Sequence, residues 1–168
     1  MKLFVYGEFG PMAMENSLLP TWQNDPAMEE VIPIERLPLP GSEEIMERGL
    51  RRYRPQWSAQ IKEHNAAVRR IVESHHTGTS AMLVFKGMEL FPSTLEAIKA
   101  QGVELFCYNP DHPFVYSGRG SGTDFMRQSL KLYRTYFTYH RGAQAELKTH
   151  GIPSELVPFG YEAAAMAE

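Results

Sequence analysis

The sequence predicts an α/β domain built on a mostly parallel sheet with helices on both faces. Three observations carry this expectation. The short runs KLFVY (2–6), SAMLVF (80–85) and VELFCY (103–108) alternate with helical stretches rather than with further strands. These runs are largely apolar, as strands buried on both faces are. Glycines such as Gly102 and Gly151 stand where the intervening helical patterns stop.

Taken in order, residues 2–6 form a buried strand closed by Gly7. Pro11 suits the first turn of a helix that Pro20 ends or borders. Residues 28–34 (MEEVIPI) read as a second strand, and Pro33 places it at a sheet edge. Ser42, with Glu43 and Glu44 behind it, is an N-cap with an acidic first turn. A long helical region follows, broken or kinked at Pro55, with Trp57, Ile61, Val68, Ile71 and Val72 near helical spacing. Its arginines and lysines read as a solvated face. Beyond the strand at 80–85, a helix is expected over 92–101, a strand over 103–108 and a helix over 124–133. A short strand over 136–139, a helix over 142–150 and a last strand over 155–158 complete the pattern.

The length of 168 residues suits about one domain. The 17 basic and 20 acidic side chains give a net charge of −3, without the basic excess of a nucleic-acid binder. No run approaches the ~18 apolar residues needed to span a membrane. The single cysteine, Cys107, allows no intrachain disulfide and falls inside a predicted strand, where core packing is the expected role. A cytoplasmic location is expected. Neither a metal nor a cofactor is expected: His75 and His76 are adjacent rather than four apart, and no G-x-S-x-G occurs.

In a parallel α/β sheet, ligands bind beyond the carboxyl ends of the strands. That rule gathers Gly7-Glu8, Lys86-Gly87-Met88-Glu89, Asn109-Pro110-Asp111-His112, His140-Arg141 and Gly160-Tyr161 along one rim. Each has a plain alternative. Gly7 and Gly87 turn the chain, Lys86 is a surface charge, and Asn-Pro-Asp is good turn chemistry without a ligand. The stretch YSGRGSGTDF (116–125) fits neither the dinucleotide fingerprint nor the P-loop. It reads as a mobile loop beside the rim, with Thr123 or Asp124 capping the next helix and Arg119 able to meet an anionic ligand.

Several stretches together resemble the spore maturation protein CgeB family of glycosyltransferase-like proteins. They are KLFVYGE, LVFKG, LFCYNPDHPF and YRTYFTYHRGAQAELKTHGIPSELVPFGYE. The resemblance runs over most of the chain and most strongly over residues 80–162. It implies that residues 1–162 are a Rossmann-like three-layer domain matching the N-terminal half of a GT-B glycosyltransferase, with 163–168 a tail or the start of a linker. The N-terminal half shapes the acceptor side of such enzymes, and the C-terminal half binds the nucleotide sugar. The chain alone is therefore not expected to be active. A sugar acceptor, a nucleotide sugar held by a second domain, and a partner chain or homodimer are the implied partners.

The resemblance lines the cleft with Glu8, Lys86, Asp111, His112, Arg141 and Tyr161, so that Glu8, Lys86, Arg141 and Tyr161, together with Arg119 of the glycine-rich loop, are expected to bind substrate. Asp111 or His112 becomes the general base for an acceptor hydroxyl. A stand-alone small-ligand or protein-binding module of the same fold, without catalysis, is the alternative. The missing phosphate motif counts against a small independent nucleotide-dependent enzyme.

Overall fold

A computed structural model describes residues 1–11, 13–37, 55–115 and 123–158, with side chains in the helix that starts at Pro55 described from residue 59. The elements are β1 (Lys2–Gly7), α1 (Met14–Gln23), β2 (Glu30–Glu35), α2 (Pro55–His75), β3 (Ser80–Phe85), α3 (Pro92–Ala100), β4 (Glu104–Tyr108), α4 (Asp124–Ser129), a 3-10 turn (Leu130–Leu132), β5 (Thr135–Thr138), α5 (Arg141–Thr149) and β6 (Ser154–Leu156). The strands form one six-stranded sheet in the order β2-β1-β3-β4-β5-β6. Every neighbouring pair is parallel, so the fold is the Rossmann-like α/β architecture that the sequence predicts.

Side-chain alternation divides the core into two layers. Phe4, Tyr6, Met82, Val84, Leu105, Cys107 and Tyr136 point to one face, where Val68 and Val72 of α2, Leu95 and Ile98 of α3 and Leu147 of α5 close over them. Leu3, Val5, Ala81, Phe85 and Tyr108 point to the other, against Met14, Leu18 and Trp22 of α1. Handedness explains the division. The step from β1 to β2 runs in one direction across the sheet, and every later step runs in the other. Right-handed crossovers therefore put α1 on one face and α2 to α5 on the opposite one.

The first helix departs from expectation. It starts at Met14, three residues after Pro11, and Pro20 lies inside it. Proline removes one helical N–H. The helix nevertheless continues because Leu18 and Trp22, on either side of Pro20, pack on the sheet. The Pro20 carbonyl is then taken by the backbone N–H and the side-chain amide of Asn24, at 3.1 and 2.8 Å. The helix expected over 124–133 is cut short: α4 passes into the 3-10 turn, and Tyr133 is extended and drops its ring into the core. Strand β5 begins one residue earlier than expected and ends at Thr138, and β6 is Ser154–Leu156 rather than 155–158. Pro55 is the first residue of α2 as described, and the expected cap at Ser42 lies outside the described residues. Pro33 is on the edge strand β2, as its missing donor requires.

Candidate functional site

The strand order reverses between β1 and β3, and the crevice beyond the carboxyl ends of such strands is the expected ligand position. A basin of about 340 Å³ lies there. Glu8 and Gly10 enter it from the end of β1, Arg36 from the end of β2, Lys86 from the end of β3 and Pro110 from beyond β4. Two ion pairs stand here, and the Glu15 carboxylate adds a third anion. Arg36 lies 3.3 Å from Glu8, and the Lys86 ammonium lies 2.7 Å from the Asp111 carboxylate.

A tight turn holds Lys86 in place at a cost in backbone strain. Its φ is +59°, the left-handed region that a lysine side chain disfavours. The Gly87 N–H donates to the Phe85 carbonyl at 2.7 Å, closing a three-residue turn around Lys86. Gly87 follows at φ +68°, and a Cβ there would stand 2.5 Å from Val84 Cγ1. The Asn109 side chain fixes the facing loop: its Oδ1 accepts from the Asp111 N–H at 2.9 Å, and its Nδ2 donates to the Tyr136 hydroxyl at 2.7 Å. Lys86 and Asp111 are thus each positioned by a rigid element. Strain concentrated in this way is typical of ligand sites.

The turn after β1 is arranged differently from a phosphate cradle. The Glu15 carboxylate, in the first turn of α1, accepts the Glu8 N–H at 3.0 Å. Gly7 permits this, because a Cβ at that position would meet Glu15 Oε1 at 2.5 Å. The Glu8 amide of this turn is thus taken by the chain's own side chain.

Beneath the basin lies a buried polar cluster. The Tyr6 hydroxyl is 3.0 Å from His64 Nε2 and donates to Glu89 Oε2 at 3.3 Å. Tyr6 is 0% exposed and Glu89 4%. Burial pushes the Glu89 carboxyl above its ordinary value, against the opposing pull of Arg36 and Lys86. Burial also pushes the Tyr6 phenol up and the His64 imidazole down. Asn65 braces the same loop, donating to the Glu89 carbonyl at 2.9 Å and accepting from the Phe91 N–H at 2.8 Å.

The residues expected at the rim separate into groups. Glu8, Lys86 and Asp111 come together at the basin. His112 turns away, with its Nε2 3.6 Å from Glu146 and its ring 5.6 Å from that of His140. His140 is the N-cap of α5, its Nδ1 accepting the Ala143 N–H at 3.1 Å. Arg141 is exposed at the first residue of α5 and is not part of the basin lining. Arg119 and Tyr161 lie outside the described residues. Thr123 does cap α4, accepting the Met126 N–H at 3.2 Å and donating to the Met88 carbonyl at 2.9 Å. Cys107 is fully buried, and burial pushes its thiol up, which suits core packing rather than nucleophilic chemistry.

Arg36, Glu15, Tyr6 and His64 went unseen in the sequence as site residues, and Glu89, expected on the rim, is instead buried against Tyr6. Arg36 obeys the carboxyl-end rule, but a second strand ending at residue 34 drew no attention to it.

The fold and basin define a Rossmann-like α/β domain with a crevice at the strand-order reversal. Among solved structures, the chain is similar to the UDP-GlcNAc 2-epimerase of Neisseria meningitidis, determined bound to UDP-GlcNAc. The two superpose with a TM-score of 0.61 at 13% identity, over 95% of this chain and 46% of that one, so this chain spans about half the epimerase's length. At that identity the likeness concerns the fold. No family model matches the sequence, and neither does any curated protein. No helix among the described residues is long and apolar enough to cross a membrane.

Proposed function

We propose that the chain is the acceptor-side domain of a GT-B-type, CgeB-like glycosyltransferase, working with a second domain that holds a nucleotide sugar. The observation that carries this reading is the Lys86–Asp111 pair, delivered by a strained turn to the carboxyl ends of neighbouring strands β3 and β4. An acceptor hydroxyl donates to Asp111. As its oxygen forms the new bond to the anomeric carbon, the bond from that carbon to the nucleotide diphosphate breaks and the proton passes to Asp111. Lys86 keeps the carboxylate in place, and Glu8 and Arg36 contact neighbouring hydroxyls. His112 anchors the 109–114 loop to α5 through Glu146. Arg141 and Tyr161 complete the contacts that the family resemblance assigns to substrate, and Arg119 of the glycine-rich loop joins them.

The occupied amide at Glu8 supports an acceptor role over a donor role, because this turn does not present that N–H to a phosphate. The epimerase of similar fold was determined bound to a nucleotide sugar, which supports a sugar-related site on this fold. Ligand-observed NMR with a panel of methyl glycosides and with UDP-GlcNAc tests the reading. Glycoside signals that disappear in Lys86→Ala, with no UDP-GlcNAc signal, are expected. Tight UDP-GlcNAc binding by the chain alone sinks the acceptor assignment. Glycoside binding that supports no transfer when a donor domain is supplied leaves a binding module without catalysis.

A further inference from the structure

Met14 and Phe85 line the basin, and both also line a second cavity of about 570 Å³. This chamber lies beneath α1, between Leu18 and Trp22 on one side and Leu83, Phe85, Tyr108 and Phe137 of the sheet on the other. Its size falls within the range of small-ligand pockets, roughly 300–1,000 Å³. Its floor is aromatic: the Phe85 ring is 6.4 Å from Trp22 and 5.6 Å from Tyr108.

The position of the chamber along the strands matters. Phe85 and Tyr108 are the last residues of β3 and β4. Leu83, level with Phe106, marks how far the chamber reaches along β3, and Ala81, nearer the amino end on the same face, does not line it. A docking groove for a helix would run the length of the strands. This cavity instead covers the carboxyl-terminal halves of β3 to β5, and Met14 and Phe85 form a wall it shares with the basin.

The charges at the mouth indicate the head group. Two cations, Arg36 and Lys86, face three carboxylates, Glu8, Glu15 and Asp111. A phosphate would meet more negative charge than positive. A hydroxyl both donates and accepts, and so fits a bed of ion pairs.

We propose that basin and chamber form one site for an amphiphilic glycoside, its sugar hydroxyls on the ion-paired rim and its alkyl or aryl body in the aromatic chamber. This rests on the acceptor reading and names its substrate class. Calorimetry with the whole chain tests it, using n-octyl β-D-glucopyranoside below its micelle concentration, methyl β-D-glucopyranoside and n-octanol as probes. The octyl glucoside is expected to bind at least tenfold more tightly than either of the others. Ser17→Phe, a change at an exposed α1 position on the chamber wall, is expected to reduce its affinity to that of the methyl glucoside while leaving the latter unchanged. Equal affinities for the two glucosides in the wild type overturn the inference and leave the rim reading intact. Octanol binding as tightly as octyl glucoside, with no effect of Lys86→Ala, also overturns it, because the chamber then works without the rim. So does a self-associated chain whose dimer persists when octyl glucoside is added, because a second copy then fills the chamber. Binding of neither glucoside, even at high concentration, removes the acceptor reading itself.

Discussion

Replacing Lys86 separates strain from charge. Lys86 sits at φ +59°, where an L side chain costs roughly 1–2 kcal/mol relative to ordinary helical backbone. Lys86→Ala keeps that strain and loses the ion pair with Asp111. Both side chains are about one-third exposed, at 32% and 35%, so solvent screening limits the pair to about 0.2–1 kcal/mol. Lys86→Gly loses the same pair and relieves the strain, offset by about 0.5–1 kcal/mol for the extra freedom of glycine in the unfolded chain.

The glycine variant is therefore expected to be more stable than the alanine variant by about 0.5–1 kcal/mol. In a domain of this size that difference moves Tm by roughly 1–4 °C. Urea and thermal unfolding of the two proteins measure it, and glycoside binding should be lost in both. An alanine variant as stable as the glycine variant would falsify the strain argument. Retained ligand binding in either would remove Lys86 from the site.

The buried Glu89 carboxyl gives a pH signature. Its folded pKa is raised, so the stability it contributes is full below about pH 4, the unfolded glutamate range, and is lost as pH rises toward the folded value. Glu89→Gln should accordingly gain stability relative to wild type as pH is raised from about 4 to 7, read from denaturation midpoints across that range. Gly87→Ala must both adopt φ +68° and meet Val84, so a loss of about 2 kcal/mol or more is expected by chemical denaturation. Thr123→Ala removes the α4 cap and leaves the Met88 carbonyl without its hydroxyl donor, at a cost of roughly 1–3 kcal/mol, with hydrogen exchange rising first in α4.

What the sequence disclosed follows from what each feature depends on. Strands β1, β3 and β4 were legible because burial on both faces makes them continuously apolar, a local property. The edge strand was legible through Pro33, whose missing donor is also local. Pro20 misled because the packing of Leu18 and Trp22 on strands distant in sequence outweighs the helix-breaking tendency of a single residue. The Lys86–Asp111 pair was half legible: both residues follow strands, but their convergence needed the β3–β4 register, in which Phe85 aligns with Tyr108. Nothing local announced the strain at Lys86, since only Gly87 has a composition that suggests a positive φ. The Tyr6–Glu89 contact joins residues 83 positions apart, and Tyr6 in its strand reads as one more apolar residue.

The basin and the chamber have one topological origin. Because the chain steps from β1 to β2 in one direction and then from β2 through β6 in the other, loops leave β1 and β3 on diverging paths, and a crevice opens between them. The same reversal assigns α1 to one face and the four later helices to the opposite one. Among the described residues, the aromatic ends of β3 to β5 are thus covered from one side only by α1, and the space beside it shares Met14 and Phe85 with the crevice. A domain whose crossovers all ran in one direction would have neither feature. A charged rim adjoining an apolar chamber is therefore what this strand order produces when Arg36, Lys86 and Asp111 stand at the strand ends and Phe85, Tyr108 and Phe137 lie just behind them.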